Sequence, residues 1–217
     1  YDTGGCEHGN SARLYYISDL HIEHQLSYRG YDSNESDFVQ GIDVLASELA
    51  RSFDTCVEYS RSFEEQKGNT TGSTFLVFAG DASDSLNISD LFFRSFVKRQ
   101  VPRAVRVAVL GNHEFLEASL AGISGDVDTI AARYKAMFEK HGVHLLHNSV
   151  LAVYKDGRRL IELSETQLAS MDVAELTAFF AKCSFLMLGG TGFSGRNEIR
   201  NAKANLYGGV VPTFDAD

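Results

Sequence analysis

Hydrophobic residues in this chain gather in short runs that end at Gly, Asp or Asn. Arg13–Ser18 (RLYYIS) stops at Asp19, Ser73–Ala79 (STFLVFA) at Gly80-Asp81, and Ala104–Leu110 (AVRVAVL) at Gly111-Asn112. Short β-branched and aromatic runs bounded by turn residues predict buried central strands. Between them the pattern switches to helical spacing. One helix is predicted over Phe38–Gln66, closing near Gly68-Asn69, and another over Asp90–Gln100, ending before Pro102. A third covers Asp128–His141 and stops at Gly142. Ser27–Asp37 is polar and reads as a loop. Alternating strands and helices predict right-handed crossovers and a sheet covered by helices.

The second half is less regular. Val143–Leu146 and Val150–Tyr154 read as strands, and Asp156-Gly157 as a hairpin turn leading into Arg158–Leu163. Ser164 and Gln167 have capping-box spacing, so a helix is expected to start there and run toward Lys182. Ser184–Leu188 is a further buried strand, followed by Gly189-Gly190. No internal repeat, low-complexity tract or linker interrupts the chain. One domain over residues 1–217 is expected, with residues 1–12 mobile.

The 217 residues, 44% apolar and 23% charged, suffice for one sizeable core. Twenty basic against 29 acidic residues give a net charge of −9. Such a surface does not by itself attract nucleic acid or an anionic membrane. A phosphate substrate would need local positive charge, which bound metal ions would supply. Three scattered cysteines, Cys6, Cys56 and Cys183, fit a reducing compartment without a disulfide framework or zinc ribbon. A cytoplasmic location is expected, since the chain has no run of about 18 apolar residues and its first residues do not form a signal peptide. The start lacks Met, so the chain is expected to begin inside a longer product.

Three motifs carry the chemistry: Asp19-Leu20-His21, Gly80-Asp81 and Gly111-Asn112-His113-Glu114. Each comes after a predicted strand, at the sheet edge where open α/β folds place their sites. On an extended chain Asp19 and His21 would point to one side and grip one ion. The bland alternative is that Asp19 caps a turn. Asp81 is suited to bridging two ions, or to capping the next segment of chain. Asn112 is either an amide ligand or a left-handed turn residue. Oxygen and imidazole donors without cysteine suit Mn²⁺, Fe²⁺ or Zn²⁺.

The combination resembles the calcineurin-like metallophosphoesterase superfamily. Ile17–His21, Phe78–Asp81 and Leu110–Glu114 match its first three signature blocks. The resemblance spans residues 13 to 155 and, more loosely, extends to Gly195. Gly142–Asn148 is similar to the strand after the third block. The resemblance implies an α/β sandwich, two β-sheets flanked by helices, with two divalent metal ions (Mn, Fe, Zn or Mg, with Mn favoured) at the strand ends. By the same resemblance, Asp19 and His21 bind the first metal, Asp81 bridges, and Asn112 binds the second. His113 faces the substrate, stabilises phosphoryl charge and protonates the leaving oxygen. Glu114 orients His113. The implied reaction is hydrolysis of phosphate mono- or diesters by a metal-bound hydroxide.

One departure stands out. The superfamily has a further ligand His and a Gly-His-x-His pair downstream, yet no histidine occurs after His147. The domain is therefore expected to continue beyond residue 217, this chain being truncated before its last strands. Two rival readings are a non-catalytic scaffold and a nuclease of the same superfamily, the latter disfavoured by the negative charge. The expected partner is a phosphate ester.

Other polar residues have simpler expectations. His141 suits a helix end, and His144 and His147 would lie on opposite strand faces. His24 is a candidate substrate contact, His8 lies in a Gly-rich start, and Asp84 caps or lines its loop. Gly189–Gly195 lacks the Lys-Ser/Thr ending of a P-loop, and although residues 190, 192 and 195 fit Gly-x-Gly-x-x-Gly, no acidic partner about 20 residues later can be placed; it reads as a tight loop near the metal edge, with Arg196 and Asn197 as substrate contacts. Leu91, Phe92, Phe93, Phe96 and Val97 form a core stripe.

Overall fold

The structure, a computed structural model, describes residues 12–66, 73–99, 104–115, 127–155 and 159–190. In chain order these form β1 (Arg13–Ile17), α1 (Ile22–Tyr28), α2 (Glu35–Gln66), β2 (Thr74–Ala79), α3 (Leu86–Arg99) and β3 (Ala104–Val109). Next come a 3₁₀ turn (His113–Phe115), α4 (Val127–Lys140), β4 (Val143–Leu145) and β5 (Ser149–Tyr154). The last elements are β6 (Leu160–Ser164), α5 (Glu165–Ala169), α6 (Val173–Phe180) and β7 (Cys183–Gly189).

Two sheets result. The first is parallel, in the order β1-β2-β3-β4, and the second is antiparallel, in the order β6-β5-β7. The period-two alternation of strand side chains sorts two cores. Leu76 and Phe78 of β2 and Ala108 of β3 face a large cluster built with α1–α4. Phe75 of β2 and Val107 of β3 face the other way, onto Leu151 and Val153 of β5. The molecule is thus an α/β arrangement of two face-packed sheets, with helices on the far side of the parallel one. Phe92, Phe93 and Phe96 are fully buried, as the stripe predicts. Phe93 packs edge-on to Phe78 at 4.7 Å and to Phe138 at 4.8 Å.

Four expectations need correction. The helix α1 has no counterpart in the sequence pattern, because its seven residues are too few to show periodicity. The polar loop is shorter than its composition suggests, since α2 begins at Glu35. Asn34 starts it: its side chain accepts from Asp37 N–H at 3.0 Å and donates to the Asp37 carboxylate at 2.8 Å. The helix starting after Ser164 keeps its capping box but ends at Ala169. A second capping box, Asp172 with Glu175, then opens α6. Finally, α3 starts at Leu86, where Ser85 O accepts the Ser89 N–H at 2.9 Å. Gly68-Asn69, Pro102 and the Asp156-Gly157 turn lie outside the described residues, as do His8, Arg196 and Asn197. Among the described residues no helix is long and apolar enough to cross a membrane.

Candidate metal centre

Parallel pairing brings the three motifs to one edge. Ile17 registers with Phe78 and Ala79 with Val109, so the segments after β1, β2 and β3 emerge side by side. The first two are zipped together by backbone bonds. Asp19 N–H donates to Gly80 O at 3.2 Å, His21 N–H to Asp81 O at 3.0 Å, and Ile22 N–H to Ala82 O at 3.0 Å.

Glu114 locks the third segment to the second. It is 2% exposed. One carboxylate oxygen accepts from Gly111 N–H at 2.7 Å and Asp81 N–H at 3.1 Å, and the other accepts from Ala82 N–H at 2.7 Å. Burial pushes its carboxyl up from the ordinary range, and Asp81 adds to that, while the three N–H donors oppose it.

Two glycines make the approach possible. Gly80 has φ +87, and a Cβ there would meet Gly111 N at 2.7 Å. A Cβ on Gly111 would lie 2.2 Å from Asp81 Oδ1. No side chain fits at either position without displacing its neighbours.

The predicted ligands occupy strained backbone. Asp19 (φ 53), His21 (φ 41) and Asp81 (φ 55) are all left-handed, and among the described non-glycine residues only Asn148 joins them. Asp and His tolerate this region better than most side chains. Such conformations still persist only where surrounding bonds hold them, and they cluster at functional sites. The extended-chain argument for Asp19 and His21 is therefore corrected. The chain turns here to enter α1, and the turn itself brings His21 Nε2 to 3.9 Å from Asp19 Oδ1. Asn112 lies exposed at the same edge.

His113 stands at the centre. Its N–H donates to Asp81 Oδ1 at 2.9 Å. Its ring meets the His21 ring edge-on at 4.3 Å, and His21 in turn lies 5.7 Å from the His24 ring. Its Nδ1 lies 2.5 Å from Asp84 Oδ1. A carboxylate beside Nδ1 selects the tautomer with the proton there and leaves Nε2 facing away. The family resemblance implies this orienting role for Glu114, and the structure gives the contact to Asp84 instead. Glu114 is too far inside, occupied by backbone donors. The three-residue spacing from Asp81 to Asp84 is the available sequence signal for Asp84.

The remaining histidines are held elsewhere. His141 is 2.7 Å from Asp90, His147 is 3.2 Å from Asp128, and His144 is 3.6 Å from Glu162. Burial pushes the Asp90 carboxyl up, but hydrogen bonds and charge from His141 and Lys140 together outweigh it and hold the carboxyl below its ordinary range. His147 lies beyond β4, so the opposite-faces argument does not apply to it. Of the Gly-rich stretch, Gly189 ends β7 with its backbone against Leu146, and residues 191–195 lie outside the described residues.

No protein-family model matches the chain, and no curated protein matches it. Among solved structures the chain is similar to phosphopantetheinyl hydrolase (PptH) from Mycobacterium tuberculosis. The likeness has 19% identity and a TM-score of 0.33, over 63% of this chain and 36% of that one. A likeness of that extent fixes neither fold nor function.

The donor set offers two carboxylates, an imidazole and an amide, the chemistry that hard and borderline divalent ions take. Asp19 and His21 stand close enough to share one ion, and Asp81 lies across the backbone bonds from both. Among the described residues no three His, Cys, Asp or Glu side chains already converge into a cage. The donors fit an open site completed by water rather than a closed structural one.

Proposed function

We propose that this chain is a catalytic region of the calcineurin-like metallophosphoesterase type, hydrolysing phosphate mono- or diesters with two divalent ions, Mn²⁺ favoured. One observation carries the reading. Left-handed turns after adjacent parallel strands set Asp19 beside His21, and His21 and Asp81 against His113, whose ring is held by a carboxylate.

Asp19, His21 and Asp81 would hold one ion, and Asp81 with Asn112 the other. When bound, the ions supply Lewis acidity, neutralising phosphate charge and making water more acidic. The chain's own residues do the rest. Water adds to phosphorus and gives up a proton to solvent, the P–O ester bond breaks with its electron pair on the departing oxygen, and that oxygen takes a proton. Carrying a proton on each nitrogen, His113 is placed to give the Nε2 proton and return to the Nδ1–H form that Asp84 holds, Asp84 stabilising the charged ring beforehand. Glu114 positions the loops and touches no substrate. With a chain charge of −9, the anionic substrate gains its attraction from the ions.

The test combines Mn²⁺ titration by calorimetry with hydrolysis of bis(p-nitrophenyl) phosphate, with Asp81→Asn as control. Mn²⁺ binding and turnover, both lost in the variant, support the reading. A folded chain that neither binds Mn²⁺ nor turns over would refute it and leave the scaffold reading.

A further inference from the structure

Glu23 lies in the first turn of α1, two residues past His21, and no step of the proposed hydrolysis uses it. Its Oε1 accepts two hydrogen bonds from the loop after β2: Ser83 Oγ–H at 2.5 Å and Asp84 N–H at 3.0 Å. Ser83 is fully buried, and its Oγ also accepts the Ser85 N–H at 2.9 Å. The Ser83–Ser85 turn is thus tied to α1 through one carboxylate oxygen. Asp84, whose backbone is held by this tie, presents its side chain to His113 Nδ1 at 2.5 Å.

We propose that Glu23 is a positioning residue that sets the orientation and tautomer of His113 through Asp84. The inference rests on the phosphoesterase reading for its catalytic consequence, but the coupling itself is structural. Three segments are linked in series: α1 holds the backbone of Asp84, Asp84 holds Nδ1 of His113, and Nε2 is left for the departing oxygen of the proposed reaction. Without Glu23 the buried Ser83 hydroxyl turns to its other acceptor, Ser85 O at 3.1 Å, and Asp84 N–H loses its partner. The turn relaxes, and the His113 ring loses its fixed tautomer. Gln in place of Glu keeps a carbonyl oxygen that accepts both bonds. Asp keeps the charge but is one methylene too short to reach.

The test uses Glu23→Ala, Glu23→Asp and Glu23→Gln with two readouts. The first is steady-state hydrolysis, in Mn²⁺, of a p-nitrophenyl diester and of an alkyl diester. Only the alkyl leaving oxygen needs a proton to depart. For the alkyl ester, kcat should fall about 10- to 100-fold in the Ala and Asp variants with KM little changed, while the p-nitrophenyl ester loses less than about threefold. The Gln variant should stay within about threefold of wild type on both esters. An equal loss on both esters, or a Gln variant as impaired as Ala, overturns the proposal. The second readout needs no turnover: the imidazole ¹⁵N spectrum of His113 with Zn²⁺ added. Wild type and Gln should show one Nδ1–H tautomer, and Ala and Asp a mixture. An unchanged tautomer in Ala and Asp overturns the proposal. If wild type cleaves neither ester while the tautomer still responds to Glu23, the phosphoesterase reading falls and the positioning stands. Should Glu23→Ala fail to fold, Glu23→Asp decides alone.

Discussion

Glu114→Gln is the sharpest probe of how the site is held. The change is nearly isosteric, so packing is conserved and only acceptors are lost. The carboxylate receives three backbone N–H donors in a position 2% exposed to solvent. An amide has one carbonyl oxygen. Its best placement puts that oxygen where Gly111 and Asp81 donate, which turns its NH₂ toward Ala82 N–H, donor against donor. Leaving one buried donor unpaired costs about 1–3 kcal/mol, and replacing charge-assisted bonds with neutral ones weakens the other two. Removing a buried charge beside Asp81 returns part of this. The net expectation is a loss of about 2–3 kcal/mol, or a fall of roughly 4–12 °C in Tm for a chain of this size. Urea unfolding followed by circular dichroism measures it. A Glu114→Gln protein within about 0.5 kcal/mol of wild type would refute the clamp, since that is the range of substitutions that break no buried contact.

Four further outcomes are expected. Phe93→Ala removes a fully buried ring packed on Phe78, Phe92 and Phe138 and should cost about 3–5 kcal/mol in the same unfolding assay. Glu162→Gln tests pH dependence. His144 and Lys135 hold the Glu162 carboxyl below its ordinary 4.5, against some burial, so its contribution is present above that value and lost as pH falls through the lowered one. The Tm gap between wild type and Glu162→Gln should therefore close as pH drops below 4.5, and a gap that widens instead would contradict the sign. Asp81→Asn should remove Mn²⁺ binding and turnover, whereas His24→Ala, at the rim beside His21, should cost less than about tenfold; equal losses would undo the ligand assignment. Gly111→Ala should lower Tm and weaken Mn²⁺ binding measured by calorimetry, because the new methyl meets both the Asp81 carboxylate and, at 2.6 Å, the Asp81 backbone N.

Most of the architecture is legible in the residues because burial imposes a period. β2 and β3 read as strands since both faces are covered, and their ends at Gly80 and Gly111 punctuate the pattern. The long helix α2 and the Phe92–Phe96 stripe are equally plain. What escapes is short or non-local. The seven residues of α1 span two turns, too few for a repeat. The second helix start at Asp172 carries the same capping signal as Ser164, yet the apolar pattern runs across both. At the candidate site, the three motifs come together at one sheet edge, but spacing along an extended chain misjudges Asp19 and His21, whose closeness comes from positive φ. The partner of His113 lies 29 residues away, and only pairing of β2 with β3 brings it near.

The carboxylates at this edge divide by what already donates to them. Glu114 accepts three N–H groups and is almost sealed from water, so its lone pairs are committed to backbone. Glu23 accepts a hydroxyl and an N–H. Asp84 faces an imidazole. Asp81 accepts one N–H on Oδ1, and Asp19, at 66% side-chain exposure, meets His21 at 3.9 Å. A cation competes poorly for oxygens already engaged by donors and well for those that are not, because each bond to an N–H must be broken to admit it. Ranked this way, among the described carboxylates at this edge Asp19 and Asp81 carry the fewest hydrogen-bond donors, and Glu114, Glu23 and Asp84 are framework. Sequence motifs alone do not separate these five acidic residues; the hydrogen-bond partners do. A conservative change should therefore act in opposite ways across the set. Glu23→Gln retains an acceptor and should be tolerated, Glu114→Gln creates a donor clash, and Asp81→Asn removes charge where the proposed ion would need it.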